Sequence, residues 1–266
     1  MNVTLGFIGC GNMAKAMIGG ILKNGILMKE QIIASAVSDS TVAKVSEQFG
    51  IKTTKDNLQV VENSDIIFLA VKPQYYETVI HEIREKITDN QIIVSIAPGK
   101  TVDWLGDLFG KEVKIVRTMP NTPALVLEGM TGVCKNNNVT AEELEEVCRI
   151  LNGFGKAAVV KEDLMDVVVS VSGSSPAYVF LFIEAMADAA VADGMPRNLA
   201  YEFAASAVLG SAKMVIETKK HPGELKDMVC SPGGTTIEAI RVLEEKGFRS
   251  SVIEAMKACT KKAREL

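Results

Sequence analysis

The sequence has few of the residues that metal centres, disulfide frameworks and nucleic-acid surfaces require. Only two of its 266 residues are histidines, His81 and His221, so no metal site built on imidazoles is expected. The five cysteines are scattered and never form a C-x-x-C pair, which argues against zinc and disulfides and favours a reducing, cytoplasmic location. The formal net charge of -4 predicts no basic surface, and so no nucleic-acid partner.

Neither a secretory signal nor contact with a membrane is expected. The first residues run directly into an apolar stretch without a basic region or a small-residue cleavage site. The longest apolar stretch, 176–195, is interrupted by Glu184, Asp188 and Asp193. Each acid would cost roughly 2.5 kcal/mol or more near the bilayer centre. We therefore interpret this stretch as a buried helix of a protein that has no membrane partner.

The first half of the chain alternates short apolar runs with amphipathic segments, which predicts right-handed crossovers in a doubly wound, mainly parallel sheet. The runs are continuously apolar, as expected for strands buried on both faces. The predicted strands are 3–8, 32–36, 66–71, 92–96 and 113–116. The fold class is therefore α/β, with an N-terminal sheet of the Rossmann type.

The second half consists of helical patterns, over 164–171, 176–192, 196–218, 236–246 and 250–264. We place a domain boundary near residue 160, with a dinucleotide-binding domain over 1–160 and a helical domain over 161–266. The helices carry Ala, Val, Met and Leu on more than one face, more than so small a domain can bury alone. A subunit interface, and so a homo-oligomer built from dimers, is the preferred interpretation. One long central helix wrapped by the others is the alternative.

A Gly-x-Gly-x-x-Ala motif follows the first predicted strand and opens a helical pattern. Gly9 permits a tight turn, Gly11 leaves room for a pyrophosphate, and Ala14 is small enough for close helix packing. The helix N-terminus offers free N–H groups and a positive dipole end. This context predicts a dinucleotide cofactor.

The end of the second predicted strand bears on the choice of cofactor. NAD-specific sites usually place an Asp or Glu there for the ribose 2′-hydroxyl. Here the residues 34–38 carry no acid, and Asp39 comes only later. The strand end thus has no carboxylate to repel a 2′-phosphate. We therefore predict NADPH, with NADH as the second candidate.

The scarcity of histidine bears on the reaction as well. Reducing a carbonyl requires protonation of a developing alkoxide, a step for which 2-hydroxy acid dehydrogenases commonly use a histidine. Both His81 and His221 are predicted at the surface. An iminium substrate is already cationic and yields a neutral amine, so this residue inventory favours reduction of a C=N bond.

A second glycine-rich stretch, 230–236, precedes an amphipathic helical pattern. Backbone N–H groups of its Gly-Gly-Thr-Thr turn could hold a carboxylate, and a threonine hydroxyl could orient it. A simple capped turn is the other interpretation of the pattern.

Over essentially its whole length the sequence resembles the pyrroline-5-carboxylate reductases, which catalyse the last step of proline biosynthesis. The resemblance rests on several uncommon motifs in the family's order, at 6–14, 69–73, 117–123, 172–178, 221–227 and 231–236. It departs from the family's usual pattern at Ser175 and at Pro98. It also departs at Met228, a position where asparagine is common in the family.

The resemblance implies the site residues. For the cofactor these are Ile8, Gly9, Cys10, Gly11, Asn12, Met13, Ala36, Asn57, Ala70, Val71, Lys72, Pro73, Ile96, Ala97 and Pro98. For the substrate they are Glu162, Met228, Gly234, Thr235 and Thr236, with Thr236 as the catalytic hydrogen-bond partner of the ring nitrogen or carboxylate. In this family the substrate loop can come from the partner subunit.

The implied activity is NAD(P)H-dependent reduction of the cyclic imine L-1-pyrroline-5-carboxylate to L-proline, without a metal. Two alternatives remain at this point. A β-hydroxyacid-dehydrogenase-like oxidoreductase would need a helix lysine with a matching glycine-rich substrate motif, and none is visible. A non-catalytic NADP(H) sensor would have no need of a second anion site.

Overall fold

The structure is a computed structural model that describes residues 3–265. The chain forms two compact units, the first reaching to Ser174 and resuming at Cys259, the second spanning Ser175–Ala258. The stretch before Ser174 belongs to the first unit because Met165 is buried in its core and Thr260 donates a hydrogen bond to Ser170 (2.8 Å). The functional division into 1–160 and 161–266 stays a prediction.

Eight strands form one sheet in the described part of the first unit. They are β1 (Leu5–Ile8), β2 (Ile32–Ser35), β3 (Lys52–Thr54), β4 (Ile66–Leu69), β5 (Ile92–Ser95), β6 (Lys114–Met119), β7 (Gly129–Lys135) and β8 (Gly155–Val159). Their order is β3-β2-β1-β4-β5-β6-β7-β8, and every pair is parallel except β6 with β7. The strand order reverses between β1 and β4, and in such sheets ligands bind outside the carboxyl ends of the strands at this point.

The central strands are buried on both faces, which explains their continuously apolar sequences. Along β1, Leu5 and Phe7 point into one hydrophobic core and Ile8 into the other. Phe7 stacks on Phe68 of β4, with ring centroids 4.8 Å apart. The two cores hold the sheet rigid beneath the loops at its carboxyl edge.

Twelve α-helices lie within the described residues 3–265. They are α1 (Asn12–Lys23), α2 (Asp39–Phe49), α3 (Asn57–Glu62), α4 (Tyr76–Ile83), α5 (Val102–Phe109), α6 (Ala141–Leu151), α7 (Met165–Val168), α8 (Ser175–Ala192), α9 (Arg197–Thr218), α10 (Pro222–Met228), α11 (Thr235–Glu245) and α12 (Phe248–Ala263). Short 3-10 turns lie at Lys29–Gln31, Pro73–Tyr75, Thr122–Val126, Asn152–Phe154 and Glu162–Leu164, and a π-helical turn lies at Val169–Gly173.

The five predicted strands are confirmed, with ends shifted by a few residues. Three strands were missed. β3 is only three residues long at the sheet edge, β7 contains two glycines, and β8 is only half buried, so none shows a long apolar run. The short, mainly polar α10 was also missed.

The second unit exposes most of its apolar surface. The expectation that 176–195 is a buried helix is wrong for the single chain, because only Pro176 and Ala187 of α8 are buried. Large side chains such as Phe180 and Leu181 are 63% and 66% exposed. Two helical stretches, Glu162–Ala192 and Arg197–Thr218, are long and apolar enough to span a membrane by length and composition alone. This surface needs a covering partner.

Candidate active site

The turn between β1 and α1 has the geometry of a phosphate cradle. Gly9 adopts a φ of +98°, and a Cβ there would lie 2.8 Å from the Ala70 carbonyl oxygen, so glycine is required. Gly11 is the N-cap of α1, and no described side chain caps the helix. A Cβ on Gly11 would meet no described atom within 4 Å. The first N–H groups of α1 therefore face open space that a methyl group would begin to fill.

Cys10 lies beneath this turn and is buried. Burial raises the pKa of its thiol to about 11, although the charge of Lys15 opposes the shift. The thiol is therefore neutral at physiological pH. A ligand at this turn would contact the main-chain groups of Cys10.

A groove of about 250 Å³ continues from this turn past the end of β2. The buried Ser35 donates from its hydroxyl to Asn57 Oδ1 at 2.6 Å, and Asn57 Nδ2 donates to Glu82 Oε2 at 2.8 Å. Lys55 also lines the groove and pairs with Asp39 at 3.1 Å. Hydrogen bonds therefore fix several polar side chains among the largely apolar residues that line the groove.

Tyr76 ties together the loops that follow β4 and β5. Its buried hydroxyl donates to the Leu69 carbonyl oxygen and accepts from Ile96 N–H (3.2 Å) and from the Ser95 hydroxyl (3.3 Å). Burial raises the pKa of Tyr76 to about 12. The neutral phenol thus links two segments, one beginning at Ala70 and the other at Ile96. Cofactor contacts are predicted for both segments.

Glu162 is held by a buried arginine. Arg117, 3% exposed, places Nη1 3.0 Å from Glu162 Oε1 and Nη2 3.8 Å from Asp166 Oδ1. The same Glu162 oxygen accepts from Val102 N–H at the start of α5 (2.7 Å). Burial, with the Glu162 charge second, raises the pKa of Cys134 nearby to about 12. The carboxylate of Glu162 is therefore fixed in one orientation.

The second glycine-rich loop also leads into a helix start. Gly233 has a φ of +68°, and Gly234 is the extended N-cap of α11, which no described side chain caps. Thr235 is exposed and Thr236 is half-buried, at the first two positions of the helix. The first N–H groups of α11 and two hydroxyls are thus available to an anion.

The predicted site residues fall into two groups. All the predicted cofactor residues lie in the first unit, after the carboxyl ends of β1, β2, β4 and β5 and at the start of α3. Glu162 also lies in the first unit, whereas Met228, Gly234, Thr235 and Thr236 lie in the second. Met228 ends α10 with its side chain 61% exposed. The assignment of these residues to ligands stays a prediction.

Sequence reasoning missed Tyr76, Arg117 and Lys55. Tyr76 and Arg117 act across distances in the chain that no local pattern encodes, and Lys55 follows a strand that was itself missed. Both histidines are exposed, as predicted, and His221 Nδ1 accepts from Gly223 N–H (3.1 Å) to cap α10.

The donor groups fit a dinucleotide. A glycine turn with open N–H groups, a groove with hydrogen-bonding side chains at the end of β2 and two linked loops at the switch point match the pyrophosphate, ribose and nicotinamide parts of such a cofactor. Within residues 3–265 there is no group of three or more His, Cys, Asp or Glu side chains placed to hold a metal ion.

Two family models match the chain. One, described as pyrroline-5-carboxylate reductase dimerisation, covers residues 162–266. The other, described as NADP oxidoreductase coenzyme F420-dependent, covers residues 4–99. The first model includes both apolar helices of the second unit.

Relatives and solved structures agree with these models. The chain is 55% identical to the pyrroline-5-carboxylate reductase of Escherichia coli K12, over 100% of this chain and 99% of that one. It is 43% identical to the Methanosarcina acetivorans enzyme of the same name, over 100% and 98%.

Among solved structures, a pyrroline-5-carboxylate reductase from Coxiella burnetii has a TM-score of 0.93 at 35% identity, covering 100% and 98% of the two chains. The pyrroline carboxylate reductase of Plasmodium falciparum, solved with NADP bound, has a TM-score of 0.89 at 34% identity, covering 99% and 98%.

Proposed function

The chain belongs to the pyrroline-5-carboxylate reductase family, and from this premise we propose how its residues divide the work of that reaction. The protein is an NADP-dependent oxidoreductase that reduces the cyclic imine 1-pyrroline-5-carboxylate to proline. The observation that carries the assignment of roles is a pair of similar helix starts. In each unit a glycine N-cap without a described side-chain partner opens an anion-binding helix end, at Gly11 and at Gly234.

The first unit is assigned to the cofactor. The N–H groups at the start of α1 would hold the pyrophosphate, and the loops after β4 and β5 would support the nicotinamide. Bound NADPH would supply the hydride that reduces the imine carbon, C2, of the pyrroline ring. The contribution of the chain is orientation, because Tyr76 fixes both loops from beneath and Gly9 lets the turn approach Ala70.

The loop at the start of α11 is assigned to the substrate carboxylate. The N–H groups of Thr235 and Thr236 would donate to that anion, while the Gly234 N–H donates to the Ser231 carbonyl oxygen (3.0 Å) and shapes the turn. Met228, in the same unit, is also assigned to the substrate. We assign to the Thr236 hydroxyl a hydrogen bond to the ring nitrogen or the carboxylate. Glu162, which Arg117 holds in the first unit, stays among the residues proposed for the substrate.

The reaction needs little acid–base chemistry from the protein. The iminium substrate carries the charge that hydride transfer neutralises, so no strong acid has to protonate an alkoxide. The exposure of His81 and the capping role of His221 agree with a reaction that uses neither imidazole.

The helical region forms a dimer, as the family model that covers it describes. A partner copy accounts for the exposed side chains of α8 and α9, which would otherwise favour aggregation. We further propose that dimers assemble into a larger homo-oligomer, that the protein is cytoplasmic, and that the functional boundary lies near residue 160.

One assay tests the proposed function. NADPH oxidation is followed with racemic pyrroline-5-carboxylate and, separately, with a 2-keto acid, and the product is identified by chromatography. We expect one proline per NADPH with the imine and no turnover of the keto acid. Turnover of the keto acid alone would favour a hydroxyacid dehydrogenase, and NADPH binding without any turnover would favour a sensor.

A further inference from the structure

A positively charged side chain, that of Lys55, lines the groove at the end of β2. The proposed function assigns no role to it. Of the described residues that line this groove, Lys55 is the only one with a positive charge. The buried hydroxyl of Ser35 and the half-buried Ala36 also face the groove, at the strand end beside which the ribose lies in sheets of this kind.

The backbone holds Lys55 beside this strand end. Ala36 N–H donates to the Thr54 carbonyl oxygen at 3.2 Å, which ties the end of β2 to the residue before Lys55. On its other side, Asp56 caps α3 by accepting from Leu58 N–H at 2.9 Å. The position of the Lys55 backbone is therefore fixed, while its side chain remains 54% exposed and free to change partners.

The present partner of Lys55 is weakly held. Asp39 Oδ1 lies 3.1 Å from Lys55 Nζ, and the Asp39 side chain is 86% exposed. Such surface pairs contribute little because water and salt screen them. A phosphate dianion in the groove would attract the ammonium more strongly than one exposed carboxylate does. The groove also holds one acid, Glu82, whose carboxylate accepts from Asn57 at 2.8 Å.

We propose that Lys55 is the residue by which the groove recognises the 2′-phosphate of NADPH and so prefers it to NADH. This inference rests on the proposed function of the first unit as the cofactor site. In the bound state Lys55 exchanges Asp39 for the phosphate, and Asp39 is the group that opposes the exchange. Because Lys55 is the only cation among the described residues that line the groove, the preference depends on this one lysine.

Equilibrium binding of two cofactor fragments tests the proposal without any catalysis. Isothermal titration calorimetry on the full-length protein measures Kd for adenosine 2′,5′-bisphosphate and for adenosine 5′-monophosphate. Lys55→Met should weaken bisphosphate binding about tenfold, as expected for loss of a charge-assisted contact, and leave monophosphate binding within about twofold. Lys55→Arg should retain the preference.

Two further variants serve as matched comparisons. Lys52→Met removes an exposed lysine from the opposite end of β3, outside this groove, and should change neither Kd. Asp39→Asn removes the competing carboxylate and should strengthen bisphosphate binding by about twofold.

An unchanged preference in Lys55→Met, or an equal loss for both fragments, would overturn the proposal. Failure of the wild-type protein to bind either fragment would overturn the cofactor site as well. The assay with pyrroline-5-carboxylate measures turnover and does not depend on the binding of either fragment. Failure of the Lys55 proposal can therefore be distinguished from failure of the proposed function.

Discussion

The two units of this protein bury their apolar residues to different degrees. In the first unit whole strands such as β1 and β4 are buried, and two cores enclose the sheet. In the second unit only small residues such as Ala187, Ala200 and Ala204 are buried, while Phe203 and Leu209 are 61% and 66% exposed. The first unit thus completes its own core, whereas the second depends on another copy of the chain.

The contrast extends to how each unit builds its anion site. The Gly9 turn is fixed by close contact with Ala70, and buried hydrogen bonds at Tyr76 support the loops beside it. In the proposed substrate loop a Cβ at Gly233 would meet no described atom within 4 Å, and a Cβ at Gly234 would meet Ser231 of the same loop, so the contacts around these two glycines are local. A rigid cofactor site and a substrate site completed by assembly are consistent with this difference.

The largest expected effect is on assembly. Leu181→Asp places a charge on the exposed apolar face of α8, and burying it between two copies would weaken the dimer at least about a thousandfold. Sedimentation velocity over a range of concentrations measures this. Met28→Asp is the matched control, because Met28 is 72% exposed on the first unit. A Leu181→Asp protein that stays dimeric at nanomolar concentration would contradict the burial of this face of α8 between two copies.

The next effect is on catalysis. Thr236→Ala removes the hydroxyl assigned to the substrate, and kcat/KM for the imine should fall about a hundredfold, as for loss of one well-placed hydrogen-bond donor. The KM for NADPH should not change, because the cofactor residues lie in the first unit. Thr236→Ser keeps a hydroxyl and should recover most of the rate. An unchanged rate in Thr236→Ala would remove this residue from the site.

The third effect is on the stability of the cofactor loops. Tyr76→Phe leaves the Leu69 carbonyl and Ile96 N–H without their buried partner, and the free energy of unfolding should fall by about 1–3 kcal/mol. Denaturant unfolding measures it, and the KM for NADPH should rise with little change in kcat. Tyr75→Phe is the control for the stability measurement alone, because Tyr75 is 53% exposed but lines the cofactor groove.

The same residue predicts a dependence on pH. The pKa of Tyr76 is about 12 in the folded chain, against an ordinary value of 10. Because the folded state binds this proton more tightly, the stabilisation is complete below pH 10 and is lost as the pH rises towards 12, by about 3 kcal/mol. The stability difference between the wild type and Tyr76→Phe should shrink over that range. A constant difference would contradict the burial of a neutral phenol.

The smallest effect separates cofactor binding from folding. Gly11→Ala adds a methyl group that meets no described atom within 4 Å, so stability should change by less than about 1 kcal/mol. NADPH affinity should fall about tenfold, because the methyl group enters the space left for the pyrophosphate. Fluorescence titration measures the affinity. A Gly11→Ala protein with wild-type NADPH affinity would show that the cradle is not the cofactor site.

The strands that could be predicted from the sequence are those whose burial leaves a recognisable pattern of apolar residues. Continuous apolar runs identified β1, β2, β4, β5 and β6, because strands buried on both faces leave that pattern. The exposed edge strand β3 and the glycine-containing β7 leave none. The exposure of α8 was misjudged because an apolar sequence predicts burial but does not say whether the same chain or a partner supplies the cover.

The candidate site divides in the same way. Gly9 and Gly11 were identifiable because a tight turn and a close phosphate approach require glycine at fixed spacing. The ion pair of the buried Arg117 with the half-buried Glu162 joins residues 45 positions apart. The link from Tyr76 to Ile96 joins residues 20 positions apart. Neither has a local signature, because only the packed sheet brings these residues together.

The most direct test of this account is steady-state kinetics with both substrates varied, for Gly11→Ala and Thr236→Ala side by side. We predict that Gly11→Ala raises the KM for NADPH and leaves the KM for pyrroline-5-carboxylate unchanged. Thr236→Ala should lower kcat/KM for the imine and leave the KM for NADPH unchanged. If each variant altered both substrates alike, the assignment of cofactor and substrate to separate units would be contradicted.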